Sequence, residues 1–334
     1  MNKSFLFILL LAGANGVVSA QTEIPLTSHV KTRITLQTLI TPGGQRTDSI
    51  HYEEFNPAQK ALVTRFYRDN RLTSVATVEL DAKGQTKVMK FDNIGTLPNR
   101  TDYFYDTRGL IIKTIDHHYM KVSGVLKEYF ADTTTLIYDE RKNKLSSESR
   151  TSRMENAYDA QNHLIRQDSY MNKSGKYQRN IYGYKGNRLM EMQGLWFDGK
   201  VYKHIVNQYD AAGHLTESRD STTNWLLLTH NTYNAQNLVA TEVKDKTFQD
   251  KQSQTTTSFT YTAQGKVATR SIRSDDPMLG EIFVLKSSIP AARMPPYELK
   301  ETYTYDKYGN RLKITTELAG QTVKVVDFQM TYYP

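Results

Sequence analysis

The chain has 334 residues, no cysteine and a formal net charge of +8, from 43 Lys and Arg against 35 Asp and Glu. Without cysteine, disulfides, thiolate metal ligands and an N-terminal lipid anchor on cysteine are excluded. Basic and acidic residues alternate along the chain, so the sequence lacks the basic patch that nucleic-acid binding requires.

Residues 1–20 have the pattern of a cleavable secretory signal. Lys3 precedes an apolar run, Phe5–Leu11, and the small residues of Val18–Ala20 come just before a cleavage point at Gln21. The apolar run is too short to span a bilayer. The sequence therefore predicts a secreted or periplasmic protein, not a lipoprotein and without a membrane span, whose mature chain is residues 21–334.

Residues 21–90 predict N-terminal strands at Val30–Ile40, Ser49–Phe55 and Ala61–Tyr67, where β-favouring residues alternate with polar ones. The segment Asn56–Lys60 carries a Pro that is tolerated in a first helical turn, so a short helix is the alternative there.

A repeated turn motif fills residues 91–270 and is clearest at Tyr209–Leu215. Asp at the first turn position and Gly at the fourth favour a type I turn followed by a residue in the left-handed region, a common hairpin connection. The predicted structural turn residues in the best copies are Asp106, Gly109, Asp210, Gly213, Asp306 and Gly309.

Counting outward from these turns predicts that each anchor aromatic residue faces an apolar residue, a favourable cross-strand pair. The predicted pairs are Phe91–Leu97, Tyr105–Ile111, Tyr158–Leu164, Tyr209–Leu215, Tyr233–Val239 and Tyr261–Val267. After Tyr138, Tyr182 and Tyr305 the apolar residue comes one position later, which predicts a longer loop.

Four Asn residues lie two positions before the anchors Tyr158, Tyr182, Tyr209 and Tyr233. They are Asn156, Asn180, Asn207 and Asn231. The same counting places Arg166, Glu217 and Thr241 opposite the first, third and fourth of them. Because Asn is depleted in strands, the recurrence indicates a structural row of hydrogen bonds.

Residues 271–300 form a Pro-rich excursion around Ile282–Leu285, either a functional or mobile loop or a cap over the sheet. Residues 301–334 restore one repeat and end in a closing strand, Val323–Tyr332. Taken together, these patterns predict an all-β protein with one domain, residues 21–334. The predicted domain is a long antiparallel hairpin meander of roughly twenty strands that is curled or closed into a shell- or barrel-like sheet.

The Tyr-Asp-x-x-Gly-x-Leu units resemble the YD-repeat (RHS-repeat) family, best at Tyr105–Ile111, Tyr209–Leu215 and Tyr305–Leu312. Large members of that family build hollow β-shells around a C-terminal toxin. This chain is short and has no toxin segment after its last repeat, so it resembles the small secreted bacterial members.

No catalytic residue, cofactor or metal site is predicted. The eight His have no metal-ligand spacing, and no nucleophile or phosphate-loop motif occurs. The leading hypothesis is a non-enzymatic scaffold or binding module whose partner is a cell-surface glycan or an envelope protein. An enzyme acting on polysaccharide and a partial shell enclosing another polypeptide are the alternatives. The sequence leaves the oligomeric state open.

The candidate ligand-binding residues are Tyr170, Trp196 and Trp225, each beside a return turn of the meander. If successive hairpins place them on one rim about 9–10 Å apart, they form an aromatic edge suited to an extended glycan. The alternative is that each ring folds over its own hairpin and closes the core.

Overall fold

The computed structural model describes residues 30–41, 44–56, 61–68, 71–94, 96–171, 175, 177–249, 251–276, 296–318 and 320–332. Three predictions fall largely outside these ranges. They are the signal segment, the short helix considered at Asn56–Lys60, of which only Asn56 is described, and most of the Pro-rich excursion. The described residues form 22 strands joined by antiparallel pairing, which confirms the predicted all-β antiparallel meander. They include no helix long and apolar enough to cross a membrane.

The strands are numbered in chain order, and their bounds are as follows: β1 Val30–Thr41, β2 Gly44–Asn56, β3 Ala61–Arg68, β4 Arg71–Leu80, β5 Thr86–Asn93, β6 Asn99–Tyr105, β7 Ile111–Val122, β8 Val125–Tyr138, β9 Lys144–Glu148, β10 Ser152–Tyr158, β11 Leu164–Met171, β12 Tyr177–Lys185, β13 Arg188–Trp196, β14 Val201–Tyr209, β15 Leu215–Thr222, β16 Trp225–Tyr233, β17 Val239–Phe248, β18 Lys251–Tyr261, β19 Val267–Ser274, β20 Tyr297–Tyr305, β21 Arg311–Leu318 and β22 Gln321–Tyr332.

The chain divides into two compact units. The first comprises the described parts of Met1–Asp102, His117–Phe130 and Thr260–Pro334. In it, β19 to β22 pair in sequence order and β22 pairs with β1, which continues through β2 to β6. Pairing between the first and last strands covers one edge of each, and a covered edge cannot recruit another chain.

The apolar core lies in this first unit. Ile272, Leu299 and Leu318 form a buried cluster, with Val323 packed against it. The other buried apolar side chains described are Ala61, Leu62, Val78, Val88, Ile314 and Val326, all in the same unit.

The second unit comprises Tyr103–Asp116 and Ala131–Phe259. Its strands pair in sequence order from β8 to β18. The buried side chains described in this unit are polar: Asp168, Asn207 and Thr257. Hydrogen bonds and half-buried rings, and not a fully buried apolar core, therefore hold these hairpins to one another.

The motif turn has the same pair of backbone hydrogen bonds in the copies that begin at Asp81, Asp106, Asp139, Asp159, Asp210, Asn234, Thr262 and Asp306. At Asp210 the N–H donates to His214 O at 3.0 Å, and Gly213 N–H donates to Asp210 O at 3.0 Å. Gly213 has φ +96°, and the Asp210 carboxylate accepts a bond from the His214 backbone at 2.8 Å. Asn162 and Asn237 take the Gly position elsewhere with positive φ, because Asn tolerates the left-handed region.

A β-bulge follows the motif turns at Asp159, Asp210 and Asn234 and corrects the predicted partners of the Asn row. Tyr158, Tyr209 and Tyr233 do face Leu164, Leu215 and Val239, as predicted. The register then shifts by one residue on the return strand. Asn156, Asn207 and Asn231 consequently face Gln167, Ser218 and Glu242, not Arg166, Glu217 and Thr241.

Two further predictions about the hairpins were wrong. Phe91 faces Asn99 and not Leu97, because β5 continues through Asn93 before it turns. The hairpins after Tyr138 and Tyr305 have the ordinary turn and no longer loop, since these residues face Lys144 and Arg311. The apolar residues that follow, Leu145 and Leu312, occupy the bulge positions.

In the third hairpin predicted to have a longer loop, the residue near the turn is Tyr184, not Tyr182. Tyr184 faces Leu189, and Lys185 faces Arg188 across a two-residue connection. Tyr182 lies two residues further from the turn and faces Met192.

Three of the four Asn residues bond backbone carbonyls of the preceding hairpin, whereas Asn180 accepts a bond from Tyr202 Oη. Asn207 Nδ2 and Tyr209 Oη both donate to Leu189 O, at 3.0 and 2.9 Å. The same arrangement joins Asn231 and Tyr233 to Leu215 O. Asn156 and Tyr158 likewise share Lys144 O. We call each such pair of donors a Tyr/Asn clamp; each carbonyl belongs to the residue just before a bulge, where the ladder is disrupted.

Candidate aromatic ligand site

All three predicted aromatic residues lie near return turns of the second unit. Tyr170 is close to the end of β11 and faces Tyr177, while Trp196 ends β13 and faces Gln178. Trp225 begins β16 and faces Phe248.

The register places Tyr170 on the opposite face of the sheet from Trp196. Their partners Tyr177 and Gln178 are adjacent residues of β12, and adjacent strand residues point to opposite faces. Trp225 shares the Trp196 face. Met192, Ile205, Asp220 and Leu227 pair directly with one another across β13 to β16, so their side chains lie on one face. Trp196 and Trp225 are an even number of residues from Met192 and Leu227, respectively, and therefore point to that same face.

Tyr170 belongs to a separate cluster on its own face. Its ring stacks on Tyr177 with centroids 5.7 Å apart, and its hydroxyl donates to Glu155 at 3.4 Å. Burial raises the pKa of the Tyr170 phenol. Beside it, the buried Asp168 carboxylate accepts a bond from Arg179 at 2.7 Å. This cluster has its polar groups satisfied within the chain.

Trp196 forms an exposed ring surface supported by Tyr202. The ring centroids are 4.7 Å apart and tilted by 45°, and Trp196 is 42% exposed. Tyr202 Oη donates to Asn180 Oδ1 at 2.8 Å, which holds the supporting ring in place. We call Trp196, Tyr202, Asn180 and Gly194 the Trp196 platform.

Gly194 makes room for the supporting ring. A Cβ at this position would lie 2.7 Å from Tyr202 Cζ. Tyr202 is the extra residue of a bulge, because Gly194 faces Lys203 and Leu195 faces Val201. The bulge directs the Tyr202 ring over the glycine and against Trp196. Sequence reasoning missed Tyr202, although a Gly inside a strand is a known signal of close approach.

Trp196 is also fixed by its own turn. Its N–H donates to Lys200 O at 2.8 Å, and Gly199 N–H donates to Trp196 O at 2.9 Å. Gly199 has φ +80°. The return turn therefore repeats the geometry of the motif turn, with Trp196 in the place of the motif Asp.

Polar groups lie between the two Trp residues on the same face. Lys203 Nζ is 3.2 Å from Asp220 Oδ2. Within the described residues, Asp220 Oδ1 is buried and has no hydrogen-bond partner. A buried acceptor is normally satisfied. The Asp220 side chain as a whole is 20% exposed, and its accessible part can accept a hydrogen bond from a bound hydroxyl.

Trp225 lies further from Trp196 than predicted. It begins β16 instead of ending β15, so three strand spacings separate the two residues, about 14 Å in place of about 9–10 Å. Phe248, its partner across the ladder, is 41% exposed. The face thus presents two aromatic positions with Lys203 and Asp220 between them.

No arrangement suited to a metal stands out. Among the residues that the structure describes, no group of three His, Asp or Glu side chains could hold an ion.

Comparison with known proteins gives no family assignment. No family model matches the chain, and no curated protein matches it in sequence. Among solved structures, a porin-like protein from Bacteroides uniformis ATCC 8492 is 10% identical over 90% of this chain and 96% of that one, with a TM-score of 0.34. A porin-like protein from Bacteroides vulgatus ATCC 8482 is 9% identical over 90% and 98%, with a TM-score of 0.26.

A third solved structure, described as TcdB2-TccC3-Cdc42, is 14% identical over 84% of this chain but only 15% of its own, with a TM-score of 0.27.

Proposed function

We propose that this chain is a small secreted YD-repeat protein of the bacterial cell envelope that acts as a non-enzymatic binding module for an extended glycan. The observation that carries the proposal is the Trp196 platform, an exposed indole packed against the Tyr202 ring. An aromatic ring with an apolar face and a polar surround suits contacts that are part apolar and part hydrogen-bonded. Sugar rings need both kinds of contact.

The rigidity of the platform supports this function. Trp196 is fixed by its turn bonds and by the Tyr202 ring, and Tyr202 is fixed by Asn180. A binding surface that is ordered before the ligand arrives loses less conformational freedom on binding. The indole therefore needs no rearrangement to meet a ligand.

The groups between the two Trp residues suit a neutral, hydroxyl-rich ligand. The partly exposed Asp220 carboxylate offers an acceptor, and the Lys203 ammonium next to it offers donors. These two charges already compensate each other, so a ligand need carry no charge of its own. A chain that reaches from Trp196 to Trp225 must be extended, since the two positions are about 14 Å apart.

Glycan-array screening of residues 21–334, followed by calorimetric titration with the best oligosaccharide, tests the proposal. We expect Trp196→Ala to weaken binding at least tenfold, about 1.4 kcal/mol, and Trp196→Ala/Trp225→Ala to abolish it. Neither change should unfold the protein, because Trp196 is substantially exposed and Trp225 is half-buried.

Tyr170→Ala is the matched control. It removes a ring near the same end of the hairpins, but from the opposite face, so glycan affinity should not change. Equal losses for Tyr170→Ala and Trp196→Ala, or no glycan bound at all, would reject the proposed site.

A further inference from the structure

The turn between β7 and β8 carries an exposed apolar hairpin tip. All ten residues from 120 to 129, which we call the β7–β8 tip, are exposed. Five of them are large apolar residues: Met120, Val122, Val125, Leu126 and Tyr129. Tyr129 is 66% exposed and Val125 is 58% exposed.

The tip is a tight hairpin whose base is held by side-chain contacts. Ser123 and Gly124 have φ values of +52° and +81°, as a tight two-residue hairpin turn requires. At the base, His117 Nδ1 lies 2.9 Å from Glu128 Oε2 and the His118 ring stacks on Phe130. The apolar residues are therefore displayed beyond a fixed base.

Exposure on both faces limits what can cover the tip. Successive residues of a strand point to opposite faces, so ten consecutive exposed residues leave both faces in solvent. A protein partner that packs on one face would leave the apolar residues of the other in water. The interface of a lipid bilayer surrounds an inserted hairpin and covers both faces and the turn together.

Charge favours an anionic lipid surface. Lys121 and Lys127 lie on the two strands of the tip and are exposed, and the single acidic residue of the tip, Glu128, is bonded to His117 at the base. Long Lys side chains can place their stems beside apolar groups while the ammonium stays among the headgroups. Basic residues next to an inserted segment are attracted to anionic lipids, and the mature chain has a formal charge of +7, the full +8 less Lys3.

We propose that the β7–β8 tip inserts into the interface of an anionic lipid bilayer and anchors the protein there peripherally. The depth is limited, because the outer backbone groups of a two-stranded hairpin need hydrogen bonds that hydrocarbon cannot supply. The tip consequently rests at the headgroup and acyl boundary, roughly 5–10 Å deep.

A site-specific fluorophore tests insertion directly. The chain has no cysteine, so Val125→Cys gives the mature protein one labelling site for the environment-sensitive dye NBD. With vesicles of phosphatidylcholine and phosphatidylglycerol at 3:1, we expect a blue shift and a several-fold rise in emission. The same label at Lys185→Cys, an exposed position on β12, should change little. An unchanged signal at Val125, or equal changes at both sites, would overturn the proposal.

Vesicle flotation provides a second measurement. Val125→Ser/Leu126→Ser should reduce co-flotation at least tenfold, and Lys121→Gln/Lys127→Gln should reduce it most at low salt. Trp196→Ala should float like the wild type, which separates this proposal from glycan binding. Flotation of the double Ser variant at the wild-type level would refute insertion. So would light scattering that shows a wild-type dimer which this variant converts to monomer, because the tip would then be an interface between copies.

Discussion

The Tyr/Asn clamp on Leu189 predicts a measurable coupling between Asn207 and Tyr209. Both side chains donate to the same carbonyl oxygen, at 3.0 and 2.9 Å, and Asn207 is buried. Tyr209→Phe removes one donor and keeps the ring, including its position 5.8 Å from the Arg188 guanidinium. One donor still reaches the carbonyl, so we expect a loss of about 0.5–1.5 kcal/mol in the free energy of unfolding.

Removal of both donors should cost more than the sum of the two single changes. In Asn207→Ala/Tyr209→Phe neither clamp donor reaches Leu189 O, and a carbonyl left unsatisfied costs about 1–3 kcal/mol. Urea unfolding of the four proteins in a double-mutant cycle measures the coupling. Gln208→Ala, between the two positions but exposed, is the control and should have almost no effect. Strictly additive losses would refute the idea that the two side chains act as one clamp.

Three further predictions concern other parts of the chain. The pKa of Asp210 is lowered, first by the bond from the His214 backbone and then by the His214 side chain; the pKa of Asp106 is lowered first by the Leu110 backbone bond. A carboxyl group whose pKa is lower in the folded state stabilises the protein at pH values above its unfolded pKa of 3.8. This stabilisation is lost as the pH falls through the folded pKa. The free energy of unfolding should therefore decrease as the pH is lowered below about 4, and it should decrease less steeply in Asp210→Asn. Equal dependence of the free energy on pH in the two proteins, measured by urea unfolding, would contradict this. Gly194→Ala should displace Tyr202 and weaken glycan binding, whereas Gly183→Ala, whose Cβ would lie 3.8 Å from Glu191 Cβ, should not; equal affinities by calorimetry would count against the platform. Arg179→Ala should lower the free energy of unfolding by about 3 kcal/mol. It removes the cation at 2.7 Å from the buried Asp168 and leaves only Arg166, at 3.3 Å. Lys200→Ala, which breaks an exposed pair with Asp198, should cost at most about 1 kcal/mol, and similar unfolding midpoints for the two variants would contradict the burial argument.

The motif turns were readable from the sequence because their chemistry is local. An Asp that accepts backbone bonds and a Gly or Asn that adopts positive φ are needed within one turn, whatever surrounds it. The all-β meander and the pairs Tyr158–Leu164, Tyr209–Leu215 and Tyr233–Val239 follow from that turn by counting.

Only the tertiary structure decided what lies beyond each turn. The bulge after Leu215 is accompanied by donors from the next hairpin, Asn231 and Tyr233, which no local pattern encodes. The site depends on the same kind of information. Tyr170 and Trp196 lie beside neighbouring return turns in the sequence, but the register of β12 against both neighbours places them on opposite faces. A shift of one residue in strand pairing reverses the face of every side chain, and that register is set by contacts between strands.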